Sequence, residues 1–508
     1  MHPLLSRQLL INIGICLFVA ACTPNVRDQE EQSVLASPAE KPTTSPARNV
    51  ILFIGDGMGV STVTAIRILD GQNKGMPGEE NVLSFERFSH VALSKTYAVN
   101  QQVGESAGTA TAFMTGQKTR AGFLGVSSEA VRGNCASAGG NHLTTALEFA
   151  ESIGKSTGIV TTTRITHATP ASAYAHVPER DWESDRDLTD EARQMGCTDI
   201  ASQLIDFPYG NGIEVALGGG RVKFLPGGMA DPEGVDNQDG RQDKRDLTRE
   251  WTEKYPKSAY VWNQSQFDSI DPKTTGHLLG LFNHDHMQFE ADRLEDTAGE
   301  PSLAQMTKLA IEILGRNPNG YFLLVEGGRI DHAHHDNNAS RALTDGIAFA
   351  DAVALAVEMT DQNETLIIVT ADHSHPFTIN GYPTRGNPIL GKVVENDSRG
   401  KPRKNFKLMD DGKPFTTLGY HTGPGADWVG GSRPDLSEID TEADKNFVQQ
   451  AAIPADSDTH GGEDVAVYAQ GPGAERIHGV MEQNEIFDAM DAAMQLTARS
   501  SLTRSEPQ

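Results

Sequence analysis

Residues 50–59 read VILFIGDGMG, and this stretch decides the fold. Its first five residues are apolar without interruption, which predicts a strand buried on both faces of a parallel sheet. The run stops at Gly55-Asp56-Gly57, where a loop with an acidic side chain begins. In open α/β sheets ligands bind outside the carboxyl ends of the strands, so the motif places Asp56 where a binding site is expected.

The same pattern recurs along the chain. Further apolar runs predict strands at residues 158–161, 321–325, 366–370 and 465–468. Helical periodicity lies between them, for example at residues 303–314 and 342–359. Strands that alternate with helices predict a doubly wound α/β fold, with a mostly parallel central sheet and helices on both faces.

Composition and charge exclude several classes of protein. The chain has 508 residues, of which 38% are hydrophobic and 50 are glycine. This excludes a coiled coil, a collagen-like chain and a wholly disordered protein. The formal net charge of −26 argues against nucleic-acid binding, which needs cations against phosphate. A small phosphorylated substrate stays possible, because bound metal ions can invert the local field.

The N-terminal residues resemble an export signal. Arg7 precedes an apolar run at residues 9–21, which is too short to span a bilayer comfortably. The small residues before Cys22 resemble a bacterial lipobox, which predicts a signal peptide over 1–21 and a lipidated Cys22. An ordinary secretory signal with an incidental cysteine is the alternative. On this prediction residues 22–47 are a flexible tether, and the protein is expected to be exported, periplasmic or at the cell surface, and anchored to a membrane.

Two cysteines lie beyond the signal region. Cys135 and Cys197 form a pair in an exported protein, so a disulfide between them is expected. Two free thiols are the alternative, and sequence spacing alone does not exclude it.

Three predicted strands deliver an acid at their carboxyl end. These acids are Asp56, Glu326 and Asp372, each flanked by glycine or histidine. One such acid is ordinary loop polarity, but three indicate a shared cation site. Oxygen ligands together with imidazole nitrogens suit zinc and magnesium.

Histidines sharpen the prediction of a metal site. Residues 331–335 read DHAHH, and on a helix Asp331 and His335 share a face and can bind one ion. His373 directly follows Asp372, which brings two ligand types together just past a strand. A lone histidine is more often structural than a ligand, so His460, before two glycines, is a weak signal by itself.

Ser106 is the candidate nucleophile. It lies in the small, helix-compatible segment 104–114, near a predicted helix N-terminus, where free N–H groups favour anions. A hydroxyl there could be deprotonated by a bound metal. From this segment alone, a serine that caps the helix is the more economical interpretation.

Taken together, the motifs resemble alkaline phosphatase, closer to the animal-type branch, in a bacterial lipoprotein form. The resemblance runs in order from about residue 49 to about residue 480. It rests on residues 50–59, ESAGTAT at 105–111, TTTRITHATP at 161–170, EGGRIDHAHH at 326–335, TADHSH at 370–375 and THGGE at 459–463. It implies hydrolysis of phosphate monoesters through a phosphoserine at a site with two zinc ions and one magnesium ion, within a catalytic domain over 48–508.

The resemblance also implies a role for each site residue. Ser106 would be the nucleophile and Arg180 would bind the phosphate, while His167 and His332 would lie around the magnesium as outer groups. The implied ligand sets are Asp331, His335 and His460 for the first zinc, Asp56, Asp372 and His373 for the second, and Asp56, Thr169 and Glu326 for magnesium. Cys135 and Cys197 fall where the animal-type family has a disulfide.

The chain departs from the family pattern at two places. Glu105 stands where the family usually has Asp, and its extra methylene could shift Arg180. The segment from Leu281 to Ser302 resembles the animal-type calcium region, but Asn283 replaces an acidic ligand there, so calcium is only a possible cofactor.

A Gly- and Pro-containing segment over about 386–455 resembles the crown insert, which in this family usually builds a homodimer interface. A disordered insert is the alternative.

Two other functions compete: a non-catalytic metal- or phosphate-binding lipoprotein, and a related phosphodiesterase or sulfatase. The first is disfavoured because all implied ligands and the nucleophile are present. The sulfatase is disfavoured because its Cys/Ser-x-Pro-x-Arg motif is missing.

Overall fold

The opening motif forms strand β1, Asn49–Gly55, in the middle of a large sheet. The computed structural model describes residues 46–428 and 430–504. β1 has a parallel neighbour on each edge, and its residues from Val50 to Gly55 are all buried. Pairing on both edges and burial on both faces explain why this strand is a continuous apolar run.

Thirteen strands lie in the described residues, and they form two sheets. The central sheet has the spatial order β13-β2-β12-β8-β1-β7-β3-β4-β6-β5, and a small sheet has the order β11-β10-β9. The strands are β1 Asn49–Gly55, β2 His90–Lys95, β3 Ser156–Arg164, β4 Val215–Gly219, β5 Ser258–Val261, β6 His277–Leu281, β7 Tyr321–Gly327, β8 Thr365–Thr370, β9 Phe377–Ile379, β10 Leu418–Gly423, β11 Ala451–Pro454, β12 Val465–Gln470 and β13 Gly479–Glu482.

Helices connect these strands. They are α1 Val60–Asn73, α2 Ser106–Thr115, α3 Cys135–Ala138, α4 Ala146–Ser152, α5 Ala168–Ala171, α6 Asp190–Gln194, α7 Ile200–Asp206, α8 Arg221–Phe224, α9 Leu247–Lys254, α10 Gln264–Asp268, α11 Leu303–Leu314, α12 Arg329–His335, α13 Ala339–Met359, α14 Glu485–Met494 and α15 Leu496–Arg499. Short 3₁₀ turns occupy Ser84–Arg87, Asp185–Asp187, Arg293–Glu295 and Ala474–Arg476. Among the described helices, none has the length and hydropathy that crossing a membrane requires.

Alternate residues of β1 belong to two different cores. Val50, Leu52 and Ile54 pack with side chains of α2, α4, α7 and α14 on one side of the sheet. Ile51 and Phe53 pack with side chains of α1, α11 and α13 on the other side. Helices therefore cover both faces, and the predicted doubly wound fold is confirmed.

The strand predictions are confirmed in position but were incomplete. Each of the five predicted strands is present, and the helix predicted over 303–314 is α11. The central sheet is mostly parallel, as predicted. Strand β12 is antiparallel to both of its neighbours, β8 and β2, and every other described pair in this sheet is parallel. β2, β5 and β13 are half-exposed, so their sequences lack the continuous apolar run that identified the inner strands.

The small sheet lies within and just before the predicted crown-like insert. β10 pairs antiparallel with β9 and parallel with β11. The insert as a domain stays a prediction, but its backbone in the described residues is ordered by turns and by these three strands.

The predicted disulfide is present, and it closes a long loop. Cys135, at the start of α3, is bonded to Cys197, with the Cα atoms 5.7 Å apart. The predicted signal peptide, the lipidated Cys22 and most of the tether over 22–47 lie outside the described residues. Ala47, at the end of that tether, is already buried, and its N–H donates to Ala493 O at 2.7 Å.

Candidate active site

The carboxyl ends of β1 and β8 bring two predicted ligands together. Asp56 follows β1 and Asp372 follows β8, and both are fully buried. The Gly57 N–H donates to Asp372 Oδ1 at 3.0 Å, which ties the two strand ends to each other. His373 Nε2 lies 3.2 Å from Asp372 Oδ2 and 3.4 Å from Asp56 Oδ1. The set predicted for the second zinc is thus assembled by two adjacent parallel strands.

Ser106 lies beside this set. Its Oγ is 3.4 Å from Asp56 Oδ2 and 3.3 Å from His373 Nε2, and the residue is 2% exposed. Ser106 is the first residue of α2, and the residue that caps the helix is Glu105. The interpretation of Ser106 as a capping serine is therefore wrong, because its hydroxyl points toward the acids instead of back to the helix backbone.

Helix α12 carries two residues of the first predicted zinc set. Asp331 and His335 are one turn apart, with 3.4 Å between Asp331 Oδ2 and His335 Nε2. His460, from the loop before β12, completes the set: its Nε2 is 3.2 Å from His335 Nε2 and 3.7 Å from Asp331 Oδ1. The predicted i, i+4 spacing on a helix is confirmed, and His460, weak as a sequence signal, reaches the same point in space.

Two residues near this set were not assigned from the sequence. His375 is fully buried, with Nε2 2.7 Å from Asp331 Oδ1 and Nδ1 3.0 Å from Asp458 Oδ2. Burial alone would lower the pKa of His375, but hydrogen bonds and charge from both carboxylates outweigh it and raise that pKa to about 9. The spacing of His375 two residues after His373 was a usable signal, whereas Asp458 had none.

The third predicted set surrounds Glu326, the acid at the end of β7. Its Oε2 accepts hydrogen bonds from Thr161 Oγ1 and, at 3.0 Å, from Thr163 Oγ1. Thr169, in α5, is fully buried beside the same carboxyl. The consecutive threonines at the end of β3 therefore orient Glu326, a role that the run TTT could have suggested.

Within the described residues, three groups of side chains place ligand atoms within 4.8 Å of one another. They are Asp56, Asp372 and His373; Asp331, His373, His375 and His460; and Asp56, His167 and Glu326. The third group includes His167, which the resemblance placed among the outer groups. Each group contains both carboxylates and imidazoles, the donor set that zinc accepts.

The electrostatics of these acids fit a bound cation. Burial, followed by the charges of Asp372, Asp331 and Glu326, raises the pKa of Asp56 well above its ordinary value. Burial likewise raises the pKa of Asp372 to about 6 and that of Glu326 to about 7. Crowded buried carboxylates are unfavourable unless a positive charge compensates them.

Unpaired atoms support the same conclusion. Among the described residues, the buried Asp56 Oδ1, Asp372 Oδ2, Glu326 Oε1 and His167 Nδ1 have no hydrogen-bond partner. Buried polar atoms are nearly always paired, so four unpaired atoms on neighbouring candidate ligands fit bound metal ions. The residues present therefore fit zinc and magnesium.

Arg180 is fixed against Glu105, the residue before the candidate nucleophile Ser106. Its NH1 donates to Glu105 Oε2 at 2.7 Å, and its NH2 lies 3.1 Å from His167 Nε2. Glu105 also accepts from the backbone N–H groups of Ala107, Gly108 and Gly122, at 3.0, 2.7 and 2.7 Å. In this structure Glu105 thus reaches Arg180 directly, despite its extra methylene.

The outer histidines form a cluster with a residue that the sequence did not reveal. The rings of His167 and His332 are 5.3 Å apart, and His286 lies 5.3 Å from the first and 4.3 Å from the second. Arg329 NH1 is 2.8 Å from His332 Nδ1. His286 follows β6 in the segment that resembles the calcium region, and nothing in that segment indicated that its side chain lies beside His167 and His332.

The site opens to solvent through a shallow cavity of about 600 Å³. Its lining consists of residues 101–105, His335, Thr459 and His460. The features of this site are buried acids and imidazoles at the strand ends, a serine among them and an opening beside it, and they are typical of an α/β enzyme with a metal site and a candidate serine nucleophile.

Comparisons with known proteins narrow this class. A family model described as alkaline phosphatase matches residues 47–496. An alkaline phosphatase of Gadus morhua is 47% identical over 449 residues, which cover 87% of this chain and 91% of that protein. The tissue-nonspecific alkaline phosphatase of Homo sapiens is 44% identical over 501 residues, covering 96% and 92%. The crystal structure of Thermus thermophilus alkaline phosphatase gives a TM-score of 0.63 at 25% identity, covering 91% and 94%.

The chain belongs to the alkaline phosphatase family, and it is a phosphatase. The resemblance found in the sequence is confirmed, as is its closeness to the animal-type branch, since animal relatives share 44% to 47% of residues over most of the chain.

Proposed function

We propose that the chain hydrolyses phosphate monoesters through a covalent phosphoserine on Ser106, at a site with two zinc ions and one magnesium ion. One observation carries the proposal. The Ser106 hydroxyl lies within 3.4 Å of Asp56 and His373, at the point where two strand ends and a helix N-terminus converge.

The ligand sets are those that the family resemblance implies. Asp331, His335 and His460 would hold one zinc, and Asp56, Asp372 and His373 the other. Asp56, Thr169 and Glu326 would hold magnesium, which makes Asp56 the carboxylate shared between two ions. Zinc in such a pair stabilises developing negative charge on the attacking and leaving oxygens.

The chain's own residues bind and orient the phosphate. Arg180 presents a guanidinium whose position is set by Glu105 and His167, and its planar fork matches two phosphate oxygens. The N-terminus of α2 places the positive end of a helix dipole beside Ser106. The Glu105 carboxylate accepts from two N–H groups of this first turn, those of Ala107 and Gly108, which keeps the capped helix aligned with Ser106.

Hydrolysis takes two displacements at phosphorus. Ser106 Oγ, having lost its proton to solvent, bonds to phosphorus as the bond to the alcohol oxygen breaks, and the alcohol gains a proton from water. A water molecule then attacks the phosphoserine, Ser106 recovers a proton, and inorganic phosphate leaves. Each step has the same number of P–O bonds before and after, so no further reactant is needed.

Other features of the proposal rest on sequence alone. We infer export and lipid anchoring at Cys22, and a homodimer built with the crown-like region over 386–455. Calcium is included only as a possible further ion. Asn283 Nδ2 donates to Glu300 Oε1 at 2.7 Å and Gln288 N to the other oxygen at 2.8 Å, so a calcium ion there would have to displace these bonds.

The test uses the mature chain and a chromogenic phosphate monoester at alkaline pH. Activity should disappear with a chelator and return with zinc plus magnesium. Ser106→Ala should bind the metals and stay inactive. A phosphodiester and a sulfate ester, assayed in parallel, should react far more slowly. Full activity of Ser106→Ala, or a faster reaction with the diester or sulfate ester, would contradict the proposal.

A further inference from the structure

Strand β10 of the small sheet contacts the helix that carries the first zinc set. Tyr420 OH lies 2.8 Å from His334 Nδ1, and both side chains are buried. Asn337, just after α12, donates from Nδ2 to Thr422 O at 3.1 Å. The segment that carries Asp331 and His335 is therefore held against β10 from two sides.

Thr422 begins a line of hydrogen bonds that ends at a proposed zinc ligand. Its Oγ1 donates to Asp458 Oδ1 at 2.6 Å. The other oxygen of Asp458 accepts from His375 Nδ1 at 3.0 Å, and His375 Nε2 donates to Asp331 Oδ1 at 2.7 Å. Three bonds thus connect the small sheet with Asp331.

Asp458 also fixes the second ligand of the set through its backbone. Its N–H donates to His335 O at 2.9 Å, and its carbonyl oxygen accepts from His335 Nδ1 at 2.7 Å. The latter bond fixes the ring so that Nε2 faces Asp331 and His460. The third ligand, His460, follows Asp458 by two residues, and the intervening Thr459 N–H donates to Thr422 Oγ1 at 3.1 Å.

The carboxylate of Asp458 is completely buried, and both of its oxygens are paired. A buried carboxylate with two fixed partners cannot reorient without leaving one of them unpaired, which is costly. Groups that hydrogen-bond to metal ligands commonly alter metal affinity or activity by about 10- to 100-fold when they are changed.

We propose that Thr422 and Asp458 are positioning residues, through which the small sheet aligns Asp331, His335 and His460 to hold zinc. The inference rests on the proposed function, because it assumes that these three side chains bind that ion. It adds that the small sheet contributes to zinc affinity, although none of its residues lies in the ligand set.

The experiment compares zinc binding by four full-length mature proteins: wild type, Thr422→Val, Thr422→Ser and Thr378→Val. Valine keeps the shape of Thr422 but removes the hydroxyl, and serine keeps the hydroxyl. Thr378 is a matched control, since it lies on the neighbouring strand β9 with its own hydrogen bonds, to Gly419 O and from Asn380 Nδ2. Zinc affinity is measured by competition with a chromogenic chelator, and metal content by mass spectrometry.

We expect Thr422→Val to bind one of its two zinc ions about 10- to 100-fold more weakly. Thr422→Ser and Thr378→Val should match wild type. At saturating zinc, kcat of Thr422→Val should recover most of the wild-type value, which separates loss of zinc from loss of fold. Asp458→Asn should show the same zinc defect, since an amide can no longer accept at both positions.

Each other outcome contradicts the inference. Zinc affinity of Thr422→Val equal to that of Thr378→Val would show that the hydrogen bond does not act on the ligands. Equal losses in Thr422→Val and Thr422→Ser would assign the effect to packing. If wild type retains no zinc, the proposed function fails as well, whereas two tightly bound zinc ions in both wild type and Thr422→Val refute the positioning role alone.

Discussion

A buried pair of carboxyl groups, Glu151 and Glu214, should make this fold lose stability as the pH rises into the alkaline range. Glu151 lies in the last turn of α4 and is 2% exposed, and Glu214 directly precedes β4 and is 7% exposed. The carboxyl of Glu214 accepts three hydrogen bonds, from Thr157 N at 2.7 Å and from Ser156 Oγ and Asn211 Nδ2 at 2.9 Å. These donors favour charge on Glu214, so the proton of the pair stays on Glu151.

The size of the effect follows from the pKa of Glu151. Burial and the adjacent Glu214 charge raise this pKa from 4.5 to about 9. The folded protein therefore keeps a proton that the unfolded chain has lost, and stability falls with rising pH between these two values. One proton corresponds to about 1.4 kcal/mol per pH unit. Between pH 7.5 and pH 9 the free energy of unfolding should fall by about 1.6 kcal/mol from this group, since half of its folded-state proton is lost by pH 9.

The variant Glu151→Gln isolates this contribution. Its amide N–H can donate to Glu214 as the protonated carboxyl does, but it does not titrate. Glu300 and Asp345, whose pKa values burial raises to about 7, have largely lost their protons by pH 7.5 and do not dominate the comparison. Urea unfolding of the metal-loaded protein at the two pH values gives the slope, with the exposed Glu191→Gln as control.

The mean slope for Glu151→Gln should be smaller by about 1.1 kcal/mol per pH unit, because Glu151 becomes half ionised by pH 9, and Glu191→Gln should keep the wild-type slope. Identical slopes for wild type and Glu151→Gln would refute the reasoning, because they would mean that Glu151 is already ionised in the folded protein.

Three further changes have defined outcomes. Removing the disulfide with Cys135→Ala and Cys197→Ala, which opens a loop with a sequence separation of 62, should cost about 4 kcal/mol in urea unfolding, and an unchanged midpoint would contradict the chain-entropy argument. Thr161→Val removes a hydrogen-bond donor to Glu326 and should weaken magnesium binding, measured by equilibrium dialysis, by about tenfold or more. Unchanged magnesium affinity would show that Glu326 is oriented without Thr161. Arg180→Lys keeps the positive charge but loses the paired N–H donors of the guanidinium, so the inhibition constant of phosphate should rise about tenfold. An unchanged inhibition constant would show that Arg180 does not bind phosphate.

The sequence predicted the inner part of this fold well. Strands buried on both faces, such as 50–54 and 321–325, have one possible pattern, a continuous apolar run, and each was placed correctly. The outer strands β2, β5 and β13 have one solvated face or edge, and their mixed residues do not differ from those of loops. Strands that are buried on both faces could therefore be predicted from the sequence, and partly exposed strands could not.

In the site as well, residues in regular elements could be predicted from the sequence and residues in irregular loops could not. Asp56, Glu326 and Asp372 could be predicted because each ends a strand, and Asp331 with His335 because helical spacing places them on one face. Their roles as ligands came from the family resemblance, and they remain predictions.

Site residues in irregular loops had no sequence pattern that predicted their position. His286 and Asp458 lie in irregular loops, and only the folded chain brings them to the ligands.

The central claim is that Ser106 carries the phosphoryl group during the reaction. The most direct measurement mixes the metal-loaded enzyme with excess phosphate monoester, quenches in acid within milliseconds and searches the peptide that contains Ser106 by mass spectrometry. The account predicts a phosphoserine at Ser106 that forms at the rate of alcohol release and is absent from Ser106→Ala. Alcohol released at the full rate with no phosphorylated peptide at any time, or phosphate attached to another residue, would contradict it.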